Sequence, residues 1–481
     1  MRLSDAAKHM NGKLYGVDSY FFGAATDTRL LKAGQLFFAW KGISFDAHNF
    51  LELAASNGAV AAVVESYNPS LELPQILVKN SQKALGKLAR EWRKKWLGLC
   101  FAITGSNGKT TVKEMLTSIC TQVGRTHATF GNLNNHIGCP LTILALKPEH
   151  QFAVIEMGAN HPKEISYLTG ITKPNIAILN NAGMCHLEGF GSLQGVATSK
   201  AEIFESLAAD ATAIINLDDD FATLWIDKVY AQNPAQALLT FGLNPLADIT
   251  LGNNTKLNNI PFDHPSKITK EITKDQVTPQ IYTIKTPKGE IEISLALDGM
   301  HNICNSLAAT AAAIAAHIPL IAIKDGLEAL IPVKGRLQKI ILTPNITLMN
   351  DSYNANPSSL NAGIDAIKTH QNQENWLILG DMRELGLNAS ELHFASGKYA
   401  KDAGFTHLFG LGELSSCACA GFEAGSNHFK THEELINALI ISLNFIIQSS
   451  LPNKQITLLI KGSFSMNMQK ITDRLIQILQ T

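Results

Sequence analysis

Charge is scarce in this chain and favours neither sign: 40 Lys and Arg stand against 41 Asp and Glu, together only 17% of 481 residues. That balance argues against a sequence-wide affinity for nucleic acid or an anionic membrane surface, while leaving room for a local anion site. Long apolar runs are missing too. No uncharged apolar stretch reaches the ~18 residues of a spanning helix; the nearest, residues 307–323, is interrupted by His317 and Pro319. The opening MRLSDAAKHMNGK has no apolar core of the secretory-signal kind. The seven cysteines include no C-x-x-C pair, and although Cys417 and Cys419 make a C-x-C, no second pair or nearby His couplet completes four zinc ligands. No sustained repeat or low-complexity tract occurs. These absences describe a soluble protein with reduced thiols, expected in the cytoplasm and without membrane insertion or nucleic-acid binding.

What is present is a hydrophobic content of 46%, which fits a globular chain, and a length that suggests about three domains at roughly 100–200 residues each. The fold class expected is α/β throughout. Residues 1–97 read as a mixed α/β domain containing TDTR and FDAH, closed by a Lys- and Arg-rich helical stretch, residues 85–96, that reads as a solvated connector. Residues 98–332 begin an alternation of short, continuous apolar runs with helical patterns: LCFAIT, FAVIEM, NIAILNN and ATAIINL. Runs without polar alternation predict strands covered on both faces, hence a parallel sheet wrapped by helices. Between Asp248 and Leu297 the chain turns polar, and the period-two tracts IYTIKT and EIEISLAL predict a peripheral antiparallel hairpin. Residues 333–481 repeat the alternation with ITLMND, WLILGDM, HLFGLG and ITLLIKG, which predicts a Rossmann-like C-terminal domain.

The sharpest local signal is AITGSNGKTTVKEML, residues 102–116. An apolar strand runs into Gly105, Ser106, Asn107, Gly108, Lys109, Thr110 and Thr111, and a helix follows with apolar residues at Val112, Met115, Leu116 and Ile119. A helix N-terminus reached through a glycine turn presents backbone N–H groups and a positive dipole end to an anion. Lys109 is placed to meet a terminal phosphate, and the Thr110 hydroxyl to join a magnesium shell. The pattern is a shortened variant of G-x-x-x-x-G-K-[ST], whose first glycine would fall at Ile103. A plain strand-to-helix turn would explain the glycines and the capping threonine, but not a lysine after glycine at the head of a helix. Glu156 and His186 follow two further strands, where a doubly wound sheet collects its ligands. They are candidate magnesium ligands, His186 the weaker because magnesium prefers oxygen. Read alone, either is equally a hydrogen-bonded core group.

With the phosphate loop, GNLNNHIGCPLT, VIEMGANHPKEI, HLEGFGSLQGVATSKAEIF, GMHNICN, KGRLQ, NDSYNANPSS, LGDMRELG and KGSFSM follow in order along the chain. This series resembles the Mur ligase family of peptidoglycan synthesis over essentially the whole chain. The likeness is greatest to the members that add D-alanyl-D-alanine to UDP-N-acetylmuramoyl-tripeptide. The resemblance implies an enzyme that uses ATP and Mg2+ to form an amide bond through an acyl phosphate; a monomer is expected. It implies that Lys109, Glu156, His186, Lys200 and Arg336 are catalytic, and that Thr110, Glu156, His186 and Lys200 hold metal. In that comparison Lys200 aligns with a lysine carbamylated by CO2; by its own sequence context it reads as a surface helix lysine. Asn305, Arg336 and Asp351 align with nucleotide contacts. Tyr353 and Asn354 fall on the nucleotide or acceptor side, Asn134, Asn135 and His136 near the tripeptide, and Thr26, Asp27, Arg29, Asp46 and His48 near the uridine diphosphate.

The sequence departs from the family pattern at Ala25, Ala47, Phe464 and Asn467, which bears on the uridine end and on acceptor recognition rather than on the ATP site. Two other readings stay open at this level. One is a different ATP-dependent ligase of the same architecture, such as a folylpolyglutamate synthase; the other is a P-loop nucleotide switch without ligation chemistry.

Overall fold

Alternate residues of the run Leu99–Thr104 point to opposite sides of a sheet, and both sides are covered. In the computed structural model of the protein, which describes residues 1–42, 45–252, 279–331, 333–367, 373–448 and 454–480, Phe101 and Ile103 pack with Val112, Met115 and Leu116 of the following helix and with the Ala-rich helix Met300–Ala315. Cys100 and Ala102 pack the other way, with Ile165, Leu168 and the N-terminal residues Leu85 and Leu88. At roughly 1.5–3 kcal/mol per fully buried large aliphatic or aromatic side chain, this double cover makes the continuous apolar runs the mainstay of the domain.

The central sheet has six strands, all parallel, in the order Ala237–Phe241, Thr212–Asn216, Ile176–Leu179, Leu99–Thr104, Phe152–Glu156, Thr126–Ala128. The first strand in the chain therefore lies inside the sheet. Its C-terminal end, where the phosphate loop leaves, is flanked by the ends of Phe152–Glu156 and Ile176–Leu179, which is where this architecture forms its ligand crevice. The expected antiparallel hairpin is present as Gln280–Thr286 with Gly289–Leu295. Residues 253–278 of the polar stretch before it, and Pro332 at the expected domain boundary, lie outside the described residues.

The N-terminal sheet has five strands, of which only Lys13–Tyr15 pairs antiparallel. The C-terminal sheet has six; the strand Gln338–Thr343 runs antiparallel at one edge and the rest are parallel. The Lys- and Arg-rich stretch is the helix Ser81–Lys95, but it is not a free connector: Leu85, Leu88, Ala89 and Arg93 are buried while Lys87, Arg90 and Lys94 face solvent. Among the described residues no helix is long and apolar enough to cross a membrane.

Candidate active site at the mouth of the central sheet

The loop between Leu99–Thr104 and the helix Lys109–Thr121 depends on glycine. Gly108 caps the helix at φ +76°, and a Cβ there would lie 2.3 Å from Asn305 Oδ1 and 2.5 Å from Asn180 Nδ2, so any other residue would meet strain and collision together. Neighbouring asparagines hold the loop. Asn181 O accepts from Ser106 N at 3.0 Å and Asn181 Oδ1 from Asn107 N at 2.8 Å. Asn180 Nδ2 donates to Asn107 O at 2.9 Å and to Asn305 Oδ1 at 3.1 Å. The first-turn amides at Lys109, Thr110 and Thr111 belong to the set that a helix cannot pair internally, which makes this mouth an anion site. Lys109 Nζ donates to Gly105 O at 2.5 Å and Ser106 O at 3.0 Å. Burial lowers its pKa most; Cys185 and Glu156 oppose that shift and Arg336 adds to it.

The C-terminal domain reaches into the same loop. Arg336 Nη2 donates to Thr110 Oγ1 at 3.2 Å, and Asn356 Nδ2 donates to Asn107 Oδ1 at 2.8 Å. The Arg336 guanidinium lies 4.1 Å over the Tyr353 ring, while its Nε is buried with no hydrogen-bond partner. In the same domain the Lys461 ammonium bonds Asp351 Oδ2, and Asp351 Oδ1 accepts from Leu337 N at 3.2 Å. Asn354 Oδ1 accepts from Ala355 N at 3.0 Å, so its side chain shapes its own turn.

Glu156 is 2% exposed. Its Oε1 accepts from Asn134 Nδ2 at 2.8 Å, whereas Oε2 is buried without a partner. An unpartnered buried carboxylate oxygen is unfavourable unless a cation or donor completes it, and a hard dication fits such an atom. Lys200, placed on the surface by its sequence context, is 1% exposed. Its Nζ donates to Ala159 O at 3.3 Å and stands 5.3 Å from the Phe190 ring centroid; burial, then the charge of Lys109, lowers its pKa to about 8. The recorded partner of His186 is not Glu156 but Glu384 of the C-terminal domain, whose Oε2 bonds His186 Nδ1. Among the described residues no group of at least three His, Cys, Asp or Glu side chains is arranged to hold a metal.

The remaining expected residues lie outside this network. Arg29 and Asp27 form a two-pronged pair, Nε to Oδ1 at 3.0 Å and Nη2 to Oδ2 at 2.6 Å, next to the half-buried Thr26. Asp46 Oδ1 accepts from His48 Nδ1 at 2.7 Å, and His48 Nε2 accepts from Glu65 N at 2.9 Å; both ring nitrogens of His48 are engaged within the domain. Asn135 Oδ1 accepts from Ile137 N at 3.0 Å and Gly138 N at 2.9 Å at the head of the helix Gly138–Leu144, and His136 is exposed. Sequence reasoning passed over Asn180, Asn181, Asn356, Glu384 and Lys461. The first two carried a usable signal, since an Asn pair directly follows the strand NIAIL at the ligand-bearing edge.

Residues 103–313 match the family model of the Mur ligase middle domain, and residues 335–464 that of the Mur ligase, glutamate ligase domain. A UDP-N-acetylmuramoyl-tripeptide--D-alanyl-D-alanine ligase of Haemophilus influenzae is 40% identical over 450 residues, covering 93% of this chain and 92% of its own. A crystal structure of MurF from Acinetobacter baumannii matches with a TM-score of 0.84 at 30% identity over 98% of both chains. MurF ligase from Thermotoga maritima, in complex with ADP, shares the fold with a TM-score of 0.75 at 23% identity, covering 95% of this chain and 98% of its own. The chain belongs to the Mur ligase family, on the branch of the UDP-N-acetylmuramoyl-tripeptide--D-alanyl-D-alanine ligases.

Proposed function

We infer that the chain, working as a cytoplasmic monomer, uses ATP to join D-alanyl-D-alanine to UDP-N-acetylmuramoyl-tripeptide, releasing ADP and phosphate. One observation carries the reading. Two buried groups of opposite charge, Arg336 Nε and Glu156 Oε2, each lack a partner, and Lys109 feels both charges. An anion for the first and a cation for the second are what a magnesium nucleotide brings. Near full-length likeness to the D-alanyl-D-alanine-adding ligases favours this reading over another ligase of the same architecture.

A carboxylate is a poor electrophile at neutral pH, so the tripeptide's terminal carboxylate first takes the γ-phosphoryl group of ATP. The resulting acyl phosphate is attacked by the dipeptide amine, and the tetrahedral intermediate expels phosphate. The main task is to neutralise charge as two anions approach. Lys109 and the first-turn amides hold the phosphates, and Arg336 adds a fork-shaped cation from the other domain. Asn305 and Asp351 hold the nucleotide, while Tyr353 and Asn354 line the nucleotide or acceptor side. Asn134 and Asn135 lie toward the tripeptide, and Thr26, Asp27, Arg29, Asp46 and His48 serve the uridine diphosphate end. Magnesium, held by Thr110, Glu156, His186 and a carbamylated Lys200, would supply charge neutralisation. Carbamylation requires the neutral Lys200 amine to attack CO2 and lose a proton, and the lowered pKa favours that form.

The test is phosphate release with ATP, Mg2+, the UDP-muramoyl tripeptide and D-alanyl-D-alanine, each omitted in turn. Turnover is expected only in the complete mixture; substantial release without either peptide substrate refutes ligation and favours a nucleotide switch.

A further inference from the structure

Two non-glycine residues in left-handed backbone conformation meet across the seam between the central and C-terminal domains. His186 (φ +50°) stands at the head of the short helix Leu187–Phe190, and Glu384 (φ +63°) lies in LGDMRELG after the strand Gln373–Gly380. Such backbone persists in residues with a Cβ where the surroundings over-determine it. Here they do: Glu188 N donates to Glu384 O at 3.3 Å, and a Cβ on Gly386 would lie 3.5 Å from Glu188 Cα. The two strained residues are joined to each other, His186 Nδ1 to Glu384 Oε2.

An ionised carboxylate only accepts, so the ring nitrogen facing Glu384 carries the proton. In the neutral ring this leaves Nε2 as a bare electron-pair donor. Without that acceptor the imidazole has no fixed tautomer. We propose that Glu384 is a positioning residue for the ligase reaction: delivered by the C-terminal domain, it fixes the orientation and the Nδ1–H tautomer of His186, so that Nε2 is ready only when the two domains are docked. This rests on the function proposed above. It also gives LGDMRELG a purpose that neither the phosphate loop nor the nucleotide contacts account for.

Two variants test it. Glu384→Gln keeps an acceptor oxygen at the same reach, and Glu384→Asn tolerates left-handed backbone but is one methylene short. The side chain is 47% exposed, so neither substitution opens the core. With Glu384→Asn, kcat is expected to fall roughly 10- to 100-fold, the usual loss when the partner of a functional histidine is removed, with the KM for ATP within about twofold. Glu384→Gln is expected to restore most of kcat. Nitrogen-15 spectra of the full-length protein with ADP should show the Nδ1–H tautomer of His186 in the parent and in Glu384→Gln, and a tautomer mixture in Glu384→Asn. An unchanged kcat in Glu384→Asn, or an unchanged tautomer, overturns the proposal. Failure of the parent enzyme to release phosphate with both peptides present would instead overturn the ligase reading, and the spectra are read without turnover.

Discussion

Lys200 shows how burial changes what a lysine can do. An ammonium that is 1% exposed, with one carbonyl within hydrogen-bonding reach and an aromatic ring at 5.3 Å, has lost most of its hydration, and its pKa falls to about 8. Near pH 7 roughly one such amine in ten is neutral, and that fraction rises with pH. Lys200→Ala is expected to lower turnover by a hundredfold or more, on the scale of losing a charged group from a reaction centre. Added formate or acetate should restore part of it by standing in for the carbamate; an undiminished Lys200→Ala rate refutes the role. Nothing in ATSKAEIF revealed the burial, because the helix Leu193–Lys200 is too short for its pattern to define a face; only the family likeness pointed there. His393 gives a second residue-scale prediction. Its Nε2 accepts from Met382 N at 2.9 Å and its Nδ1 donates to Ala389 O at 2.6 Å, so the buried ring folds in the neutral form and burial lowers its pKa. The unfolded chain then binds the extra proton first. The stability His393 contributes is complete above its ordinary value of 6.5 and is lost as pH falls through that value toward the lower folded one, at no more than about 1.4 kcal/mol per pH unit. Urea unfolding between pH 7.5 and 5.5 should show that loss, and His393→Gln should reduce the slope.

At the scale of elements, what the sequence made legible followed burial on both faces. LCFAIT, FAVIEM, NIAILNN and ATAIINL are strands because both sides of the central sheet are apolar, and ITLMND, WLILGDM, HLFGLG and ITLLIKG are strands for the same reason. The edge strands Gln338–Thr343 and Ser426–Phe429 were not anticipated; they are half-exposed and mix polar with apolar residues, so neither period stands out. The helix Ser81–Lys95 differs from a solvated connector for another reason. Its charge is real, but Arg93 turns inward and donates to Thr172 O at 2.8 Å, Trp96 O at 3.0 Å, Lys173 O at 3.1 Å and Asn175 Oδ1 at 3.2 Å. One planar guanidinium thus staples the N-terminal helix to the central domain. Arg93→Ala removes the donor from three backbone carbonyls at a buried seam, while Asn175 Oδ1 keeps Cys100 N at 2.9 Å, and is expected to lower the first urea-unfolding transition by roughly 2–4 kcal/mol. Arg93→Lys should recover little, since one ammonium cannot replace a five-donor fork. Parent-like unfolding in Arg93→Ala would show that apolar packing alone holds the helix.

At the scale of the whole molecule, the candidate site is divided between domains and is complete only where they touch. The phosphate loop and its asparagines belong to the central sheet, while Arg336, Tyr353 and Asn356 arrive from the C-terminal one. The bonds between the two sets, Arg336 to Thr110 and Asn356 to Asn107, join residues 226 and 249 positions apart. No local pattern encodes such contacts, so sequence reasoning reached Arg336 only through the family motif KGRLQ and missed Asn356. The arrangement makes a directional prediction. If Arg336 serves the transferring phosphoryl group, Arg336→Ala should reduce kcat by 10²–10³, the scale for losing one charge-stabilising group, while ADP binding measured by calorimetry weakens far less, because Lys109, the first-turn amides and Asn305 remain. Arg336→Lys should stay low, since an ammonium reproduces neither the planar donor fork nor the guanidinium packed 4.1 Å over Tyr353. If Arg336 only docks the domains, Asn356→Ala should reproduce the loss by removing the neighbouring bond, and X-ray scattering should show both variants expanded with nucleotide bound. A kcat deficit confined to Arg336, with parent-like scattering, assigns the guanidinium to the chemistry; matched deficits with matched expansion assign it to closure.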